Sequence, residues 1–319
     1  MGKKVLVTAT NYSKYCSQAK ILLESEGFEI IENEFGRPMT FDELKLRVPD
    51  IYAVVAGVDT WNEEVFRIAP KLKAIARFGV GVDNIDLNKA KDYGIKVTNA
   101  KGMNSNAVAE LAVGLILGAV RNIPYLTGSL KKGNWDRFVG REIAGKSVGL
   151  LGFGSIAQGV AEKLQGFGVK IYAFDKYPNL EKAKDLNVTM TCIEEILKSC
   201  DIVSLHLPSF KETYHIMGRE QFETMKDGAY FVNTARGALV DEKALYQALK
   251  SGKLAGASTD VFEEEPAKPS NPLFELDNMI CTPHTAAETY ETYTTVSMAT
   301  AQGIIDVFKG RTPQNLLNG

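Results

Sequence analysis

The sequence predicts an α/β protein built from two doubly wound parallel-sheet domains, and three observations lead there. Short apolar runs alternate with longer amphipathic stretches from end to end. The short runs are nearly continuous in Val, Ile, Leu and Ala, the pattern of strands covered on both faces. They also fall into two series, separated by one long apolar helix near 104–121.

The first series comprises "KKVLVTA" (3–9), "IYAVVAG" (51–57), "LKAIARF" (72–78) and "GIKVTN" (94–99). The second comprises "SVGLLG" (147–152), "VKIYAF" (169–174), "DIVSLHL" (201–207), "GAYFVNT" (228–234) and "LAGASTD" (254–260). Helical periodicity marks "YCSQAKILLESEG" (15–27), "SIAQGVAEKLQGFG" (155–168) and "DEKALYQALKSG" (241–252), the last two stopping before glycine. The run "AVAELAVGLILGAV" (107–120) is too short for a bilayer and contains Glu110, so it reads as a buried helix. The closing stretch "AAETYETYTTVSMATAQGIIDVFKG" (286–310) reads as one helix, expected to return to the first domain.

Composition narrows the function classes. The chain has 319 residues, 45% hydrophobic and 24% charged, with a formal net charge of −2. It therefore presents no broad basic field for nucleic acid or anionic lipid. Its start, "MGKKVLVTAT", reads as a strand rather than a signal peptide. Cys16, Cys192, Cys200 and Cys281 form no C-x-x-C pair, so no metal is expected. Reduced thiols and a cytoplasmic location are the simplest expectation.

Two phosphate-binding patterns nearly touch between residues 140 and 161. Gly140–Ser147 matches G-x-x-x-x-G-K-[ST], and Gly152, Gly154 and Ala157 match G-x-G-x-x-[GA]. A triphosphate loop must leave a strand and enter a helix, but Lys146-Ser147 runs into the strand "VGLLG". That pattern is rejected, and a phosphotransferase with it. The second pattern has a strand before it and a helix after it. Gly152 permits the turn, Gly154 lets a pyrophosphate approach the backbone, and Ala157 keeps helix and strand close. Asp175 ends the next strand, where a carboxylate accepts from an adenosine ribose and repels a 2′-phosphate. NAD is thus expected over NADP, an argument that Lys176 beside it weakens slightly.

The later strand ends carry "HLP" (206–208), "NTARG" (233–237), "TDVFEEEP" (259–266) and "CTPH" (281–284). In an open parallel sheet these ends share the ligand-binding rim. Reducing a 2-keto acid requires a cation for the carboxylate and a general acid for the oxygen at C2. Arg236 offers a planar fork, and His284 a proton donor suited to neutral pH. A carboxylate of "EEEP" paired with the imidazole favours the imidazolium. Each has a plainer reading: a surface ion pair, a structural histidine, a solvated acidic loop. Their coincidence on one rim favours chemistry. His206 is read as structural or cofactor-lining, and His215 as structural with no evident partner.

The motifs "ARFGVGVDNID" (76–86), "NSNAVAEL" (104–111), "GFGSIA", "HLP", "MKDGAYFVNTARGALVDEKAL" (225–245), "DVFEEEP" and "TPH" together resemble the D-isomer-specific 2-hydroxyacid dehydrogenases, particularly the phosphoglycerate dehydrogenase branch. The resemblance implies a Rossmann dinucleotide-binding domain (102–286) inserted into a flavodoxin-like substrate domain (1–101 plus 287–319). It implies a catalytic set of Arg236, Glu265 and His284. It further implies NAD contacts from Gly152, Gly154, Ser155, Ile156, Asp175, Leu207, Pro208, Thr213, Thr234, Ala235, Arg236, Asp260 and His284. Substrate contacts are implied for Arg77, Arg236 and the backbone amides of Val80 and Gly81. Family members are usually dimers, so 121–135 is expected at an interface between two copies.

The chain departs from the phosphoglycerate branch where "VVAGVD" (54–59) lacks an arginine, leaving Arg77, and Arg137 from a partner copy, as phosphate ligands. "HTAA" also stands where a glycine commonly follows the histidine. No regulatory extension is read, and control by serine is not expected. The first expected substrate is 3-phosphoglycerate. The alternatives are an unphosphorylated keto acid such as hydroxypyruvate or glyoxylate, and a dinucleotide-sensing corepressor of the same fold.

Overall fold

Two parallel sheets organise the computed structural model, which describes residues 2–319. The chain divides into two units, Met1–Asn104 with Ala287–Gly319, and Ser105–Ala286. In the first unit the strands are β1 (Lys3–Val7), β2 (Phe28–Glu32), β3 (Ile51–Ala56), β4 (Ala74–Arg77) and β5 (Lys96–Thr98). Their order is β2-β1-β3-β4-β5, the flavodoxin-like arrangement. Successive residues of a strand point to opposite faces. Val5 and Val7 of β1 accordingly join one core with Leu23 and Ile304, while Leu6 joins the other with Val54 and Phe66. Burial on both faces explains the unbroken apolar runs.

The helix Tyr290–Phe308 packs on this sheet beside the helix Ser17–Ser25, so the chain's end does return to the first unit. It starts four residues later than the periodicity suggests. Thr289 caps it, accepting from Thr292 N at 3.2 Å, and a side-chain acceptor there sets the start of the helix. The residues before it bond elsewhere, Ala286 N donating to Asp260.

In the second unit the strands are β6 (Ser147–Leu151), β7 (Lys170–Phe174), β8 (Val188–Met190), β9 (Ile202–Leu205), β10 (Ala229–Asn233), β11 (Leu254–Thr259) and β12 (Met279–Cys281). Their order is β12-β11-β10-β9-β6-β7-β8. From β6 the chain builds one way to β8, then crosses back to β9, so the strand order switches between β6 and β9. Ligands of open α/β sheets bind outside the carboxyl ends at such a switch. The apolar helix Ser105–Arg121 packs against the helix Ser155–Leu164 and strands β10 to β12. No single helix among the described residues is long and apolar enough to cross a membrane.

Three strands, β2, β8 and β12, are missing from the two series, although the end of β12 is read at "CTPH". All three lie at sheet edges, and β8 and β12 have only three residues each. A short edge strand is half solvated and carries little apolar signal. The rejected triphosphate pattern has no helix after it, because Ser147 opens β6.

Candidate active site

The turn after β6 is shaped by two glycines with different tasks. Gly152 has φ 100°, and a Cβ there would lie 2.7 Å from the carbonyl oxygen of His206. The turn therefore rests on the segment that leaves β9. Gly154 precedes the Ser155–Leu164 helix, and a Cβ there would meet nothing within 4 Å. It leaves open space at a helix end whose first N–H groups lack intrahelical acceptors. The Ser155 hydroxyl lies 2.9 Å from that of Ser105, Ile156 is half-buried, and Ala157 is buried.

Asp175, just beyond β7, accepts from Phe153 N and Tyr177 N, both at 2.8 Å. An ionised carboxylate accepts about four hydrogen bonds, so it retains capacity for a ribose hydroxyl. Lys176 is exposed, its Nζ 5.6 Å from the Tyr177 ring centroid.

Leu207 and Ala235 are half-buried at adjacent strand ends. Thr234 Oγ1 is buried without a partner among the described residues, and an orphaned buried hydroxyl calls for a ligand or water. Together with the open helix end and the tied carboxylate, it makes these residues a fit for a dinucleotide. Thr213 is occupied differently from the expectation. Its hydroxyl accepts from Phe210 N and donates to Pro208 O, both at 2.8 Å, and so shapes the loop after β9.

Strands β10, β11 and β12 lie side by side, and their carboxyl ends deliver Arg236, Glu265 and His284. His284 Nδ1 is 2.7 Å from Glu265 Oε2, and Glu265 Oε1 accepts from Phe262 N at 2.9 Å. Burial alone would raise the Glu265 carboxyl. The hydrogen bond and charge of His284, the Phe262 N–H and the charge of Arg236 outweigh it, leaving the group below its ordinary value. Arg236 Nη1 donates to Ala235 O at 2.7 Å. Asn233 fixes the arginine's turn, its side chain donating to Arg236 O at 3.0 Å and accepting from Ala235 N at 2.9 Å.

His284 sits in the left-handed region, φ 50°, and its N–H donates to Asp260 O at 2.7 Å. Asp260 has no exposed surface. Its Oδ1 accepts from Thr282 Oγ1 at 2.6 Å and Thr285 N at 2.9 Å, and its Oδ2 from Ala286 N at 2.9 Å. The expected cofactor contact is thus a carboxylate turned into the protein, bracing the histidine loop from both sides.

In the first unit Arg77, expected at the substrate, is engaged with the main chain around it. Its guanidinium donates to main-chain oxygens of its own neighbourhood: Gly81 O at 2.9 Å, Phe78 O at 2.5 Å and, more weakly, Ala56 O at 3.5 Å. These bonds use its Nε and Nη1 and hold the loop after β4. The carbonyls of Gly79 and Val80 are also taken, by Ala100 N at 2.8 Å and Asn99 Nδ2 at 2.7 Å. The N–H groups of Val80 and Gly81 have no acceptor among the described residues. Successive unpaired amides of this kind suit a carboxylate.

The other histidines separate by environment. His206 Nε2 is 2.9 Å from Ser204 Oγ, and desolvation pushes its pKa down to about 4, so it stays neutral near pH 7. His215, expected to stand alone, has a neighbour: Nε2 lies 3.0 Å from Glu263 Oε1, though without the alignment of a hydrogen bond. Glu263 follows a loop and shares no period with His215, so no sequence spacing announces the pair.

Gly237 is a further site residue that sequence reasoning missed. A Cβ there would fall 1.9 Å from the Phe262 carbonyl carbon, so the arginine turn and the glutamate loop touch backbone to backbone. The only local signal is a glycine directly after the arginine.

A guanidinium and an acid–base pair on the rim that holds a dinucleotide turn define the equipment of a nicotinamide-dependent oxidoreductase. The profile of the family described as "D-isomer specific 2-hydroxyacid dehydrogenase, NAD binding domain" matches residues 113–286. The chain is 42% identical over 291 residues to the D-3-phosphoglycerate dehydrogenase of Archaeoglobus fulgidus, covering 90% of this chain but 55% of that protein. It thus spans about half the length of that relative. It is 39% identical over 310 residues to the glyoxylate reductase of Korarchaeum cryptofilum, covering 93% of each. The apo-structure of D-lactate dehydrogenase from Escherichia coli superposes with a TM-score of 0.88 at 32% identity, over 99% of both chains. The chain belongs to the D-isomer-specific 2-hydroxyacid dehydrogenase family, and its cofactor is NAD.

Proposed function

We propose that the protein is an NAD-dependent dehydrogenase acting at C2 of a 2-hydroxy acid, or in reverse a reductase of the 2-oxo acid. The observation that carries this reading is the 2.7 Å contact between His284 Nδ1 and Glu265 Oε2, with Arg236 close enough to stabilise the carboxylate. NAD, when bound, supplies the hydride chemistry. Arg236 holds the substrate through its planar fork. Glu265 fixes the imidazole's orientation and tautomer through Nδ1, so that Nε2 faces the substrate to give a proton to the C2 oxygen in reduction and remove it in oxidation. The amides of Val80 and Gly81 are assigned to the substrate carboxylate. Gly152, Gly154, Ser155, Ile156, Asp175, Leu207, Thr234 and Ala235 are assigned to NAD.

The commitment of Arg77 to backbone carbonyls favours a small unphosphorylated 2-oxo acid, such as glyoxylate or hydroxypyruvate. The similarity to D-3-phosphoglycerate dehydrogenases supports 3-phosphoglycerate as the second reading. Comparing kcat/KM for glyoxylate, hydroxypyruvate and phosphohydroxypyruvate with NADH decides between them. A preference of tenfold or more for the phosphorylated acid would reverse the order. Absence of turnover on all three, with NADH bound, would favour a dinucleotide sensor instead.

A homodimer accompanies this reading. Ile123, Leu130, Trp135 and Val139 are 52%, 58%, 82% and 94% exposed within one stretch of the second unit. So apolar a cluster favours burial against a second copy. Arg137, exposed in the same stretch, would lie at that interface. A cytoplasmic location fits the four cysteines, which form no disulfide.

A further inference from the structure

The three consecutive glutamates of "EEEP" have three different fates. Glu265 meets His284, and Glu264 pairs with Lys268 at 2.8 Å in solvent. Glu263 forms a reciprocal clamp with Glu242, the first residue of the helix Glu242–Lys250. Glu263 Oε1 accepts from Glu242 N at 3.0 Å, and Glu242 Oε1 accepts from Glu263 N at 2.7 Å. Glu242 Oε2 is held in turn by Asn271 Nδ2 at 2.8 Å. Asp241 accepts from Lys243 N and Ala244 N, so Glu263 completes the capping of that helix from outside. His215 Nε2 approaches the same Glu263 oxygen.

The clamp closes on the segment that carries the chemistry. Phe262, next to Glu263, donates the N–H that holds Glu265. The backbone of Phe262 and Glu263 is also the surface on which Gly237 rests, directly after Arg236. One two-residue segment therefore touches the arginine turn on one side and anchors the glutamate on the other. We propose that the Glu242–Glu263 clamp, backed by His215, is a positioning device that holds Arg236 and the Glu265–His284 pair in register. Glu263 touches neither and acts through Phe262. The inference rests on the assignment of Arg236, Glu265 and His284 above.

The charged groups around the clamp are His215 and Glu242 on Glu263; the pair Glu264–Lys268 faces solvent beside it, and Arg236 and Glu265 lie on its far side. The test compares Glu263→Ala with Glu263→Gln, which retains an acceptor for the Glu242 N–H. Each is measured for kcat, KM, NADH affinity by direct fluorescence titration, melting temperature, and the ring-nitrogen resonances of His284 by NMR at one fixed pH.

A positioning role predicts a fall in kcat of about tenfold to a hundredfold in Glu263→Ala, since displacements of about 1 Å at a reacting centre cost on that order. NADH affinity should stay within about twofold (~0.4 kcal/mol), because the clamp includes none of the residues assigned to NAD. The His284 Nδ1 resonance should move in Glu263→Ala as its contact with Glu265 Oε2 is disturbed, and Glu263→Gln should recover most of the activity. Loss of kcat with an unmoved His284 Nδ1 resonance would overturn the proposal, as would a loss explained by a smaller folded fraction. The NMR measurement needs no turnover, so the clamp can be judged even if the dehydrogenase assignment fails in the substrate screen.

Discussion

His284 Nδ1 stands 2.7 Å from Glu265 Oε2 although the two residues are 19 apart in the chain, on loops that leave neighbouring strands. The carboxylate fixes the ring's orientation and tautomer. His284→Ala should lower kcat by about 10² to 10⁴, the usual worth of positioned acid–base catalysis, with NADH affinity much less changed. Glu265→Gln should lie between that variant and wild type. Near-wild-type turnover in His284→Ala, measured by steady-state kinetics, would remove the assigned acid.

The Glu265 carboxyl lies below its ordinary value of 4.5, so it binds its proton less tightly in the folded state. Its contribution to stability is complete above pH 4.5 and disappears as pH falls through the lower folded value. Urea unfolding between pH 5 and 3 should show wild type losing stability more steeply than Glu265→Gln. Solvent screens the half-exposed pair, so the difference should stay below the ~1.4 kcal/mol that a tenfold change in proton affinity represents. Parallel curves would contradict the pairing.

His206 carries the same sign at a different pH. Desolvation places its pKa at about 4 in the fold against 6.5 ordinarily. The neutral ring's contribution is whole above 6.5 and lost as pH falls toward 4, where the unfolded chain binds the extra proton. Replacing it, as in His206→Gln, should flatten the stability profile across that window. The pH dependence of kcat/KM above pH 6.5 should not change, and a shifted limb there would make His206 a participant.

Asp260 receives two N–H groups and a hydroxyl where no solvent reaches. Removing that acceptor leaves Thr285 N and Ala286 N unpaired, at about 1 to 3 kcal/mol each. Asp260→Ala should therefore lose roughly 3 kcal/mol or more in urea unfolding and release the His284 loop. A loss below about 1 kcal/mol would mean water replaces the carboxylate, and the bracing role would fall.

Gly237→Ala tests the contact between arginine turn and glutamate loop. Its Cβ would overlap the Phe262 carbonyl, and forcing the two backbones apart costs about 1 to 3 kcal/mol. Both melting temperature and kcat should fall. Unchanged kcat would show that the spacing of the two loops is not critical.

Much of this protein is local, and that part is legible in the order of its residues. Buried parallel strands need apolar residues on both faces, so β1, β3, β6 and β9 declare themselves by composition. The dinucleotide turn likewise needs glycines at fixed offsets between a strand and a helix. Edge strands β2 and β8, half solvated and short, carry no comparable pattern.

What tertiary structure alone decided is how side chains pair across loops. Residues by themselves leave any carboxylate of "EEEP" free to meet an imidazole, and only the path of the loop sends Glu263 to Glu242, Glu264 to Lys268 and Glu265 to His284. The same holds for Arg77, an apparent anion ligand that turns back onto its own carbonyls, and for Asp260, which disappears beneath the histidine loop. Periodicity reports which face of an element is buried. A hydrogen bond between loops depends on ångström-scale placement of chain segments far apart in sequence, and no period encodes that.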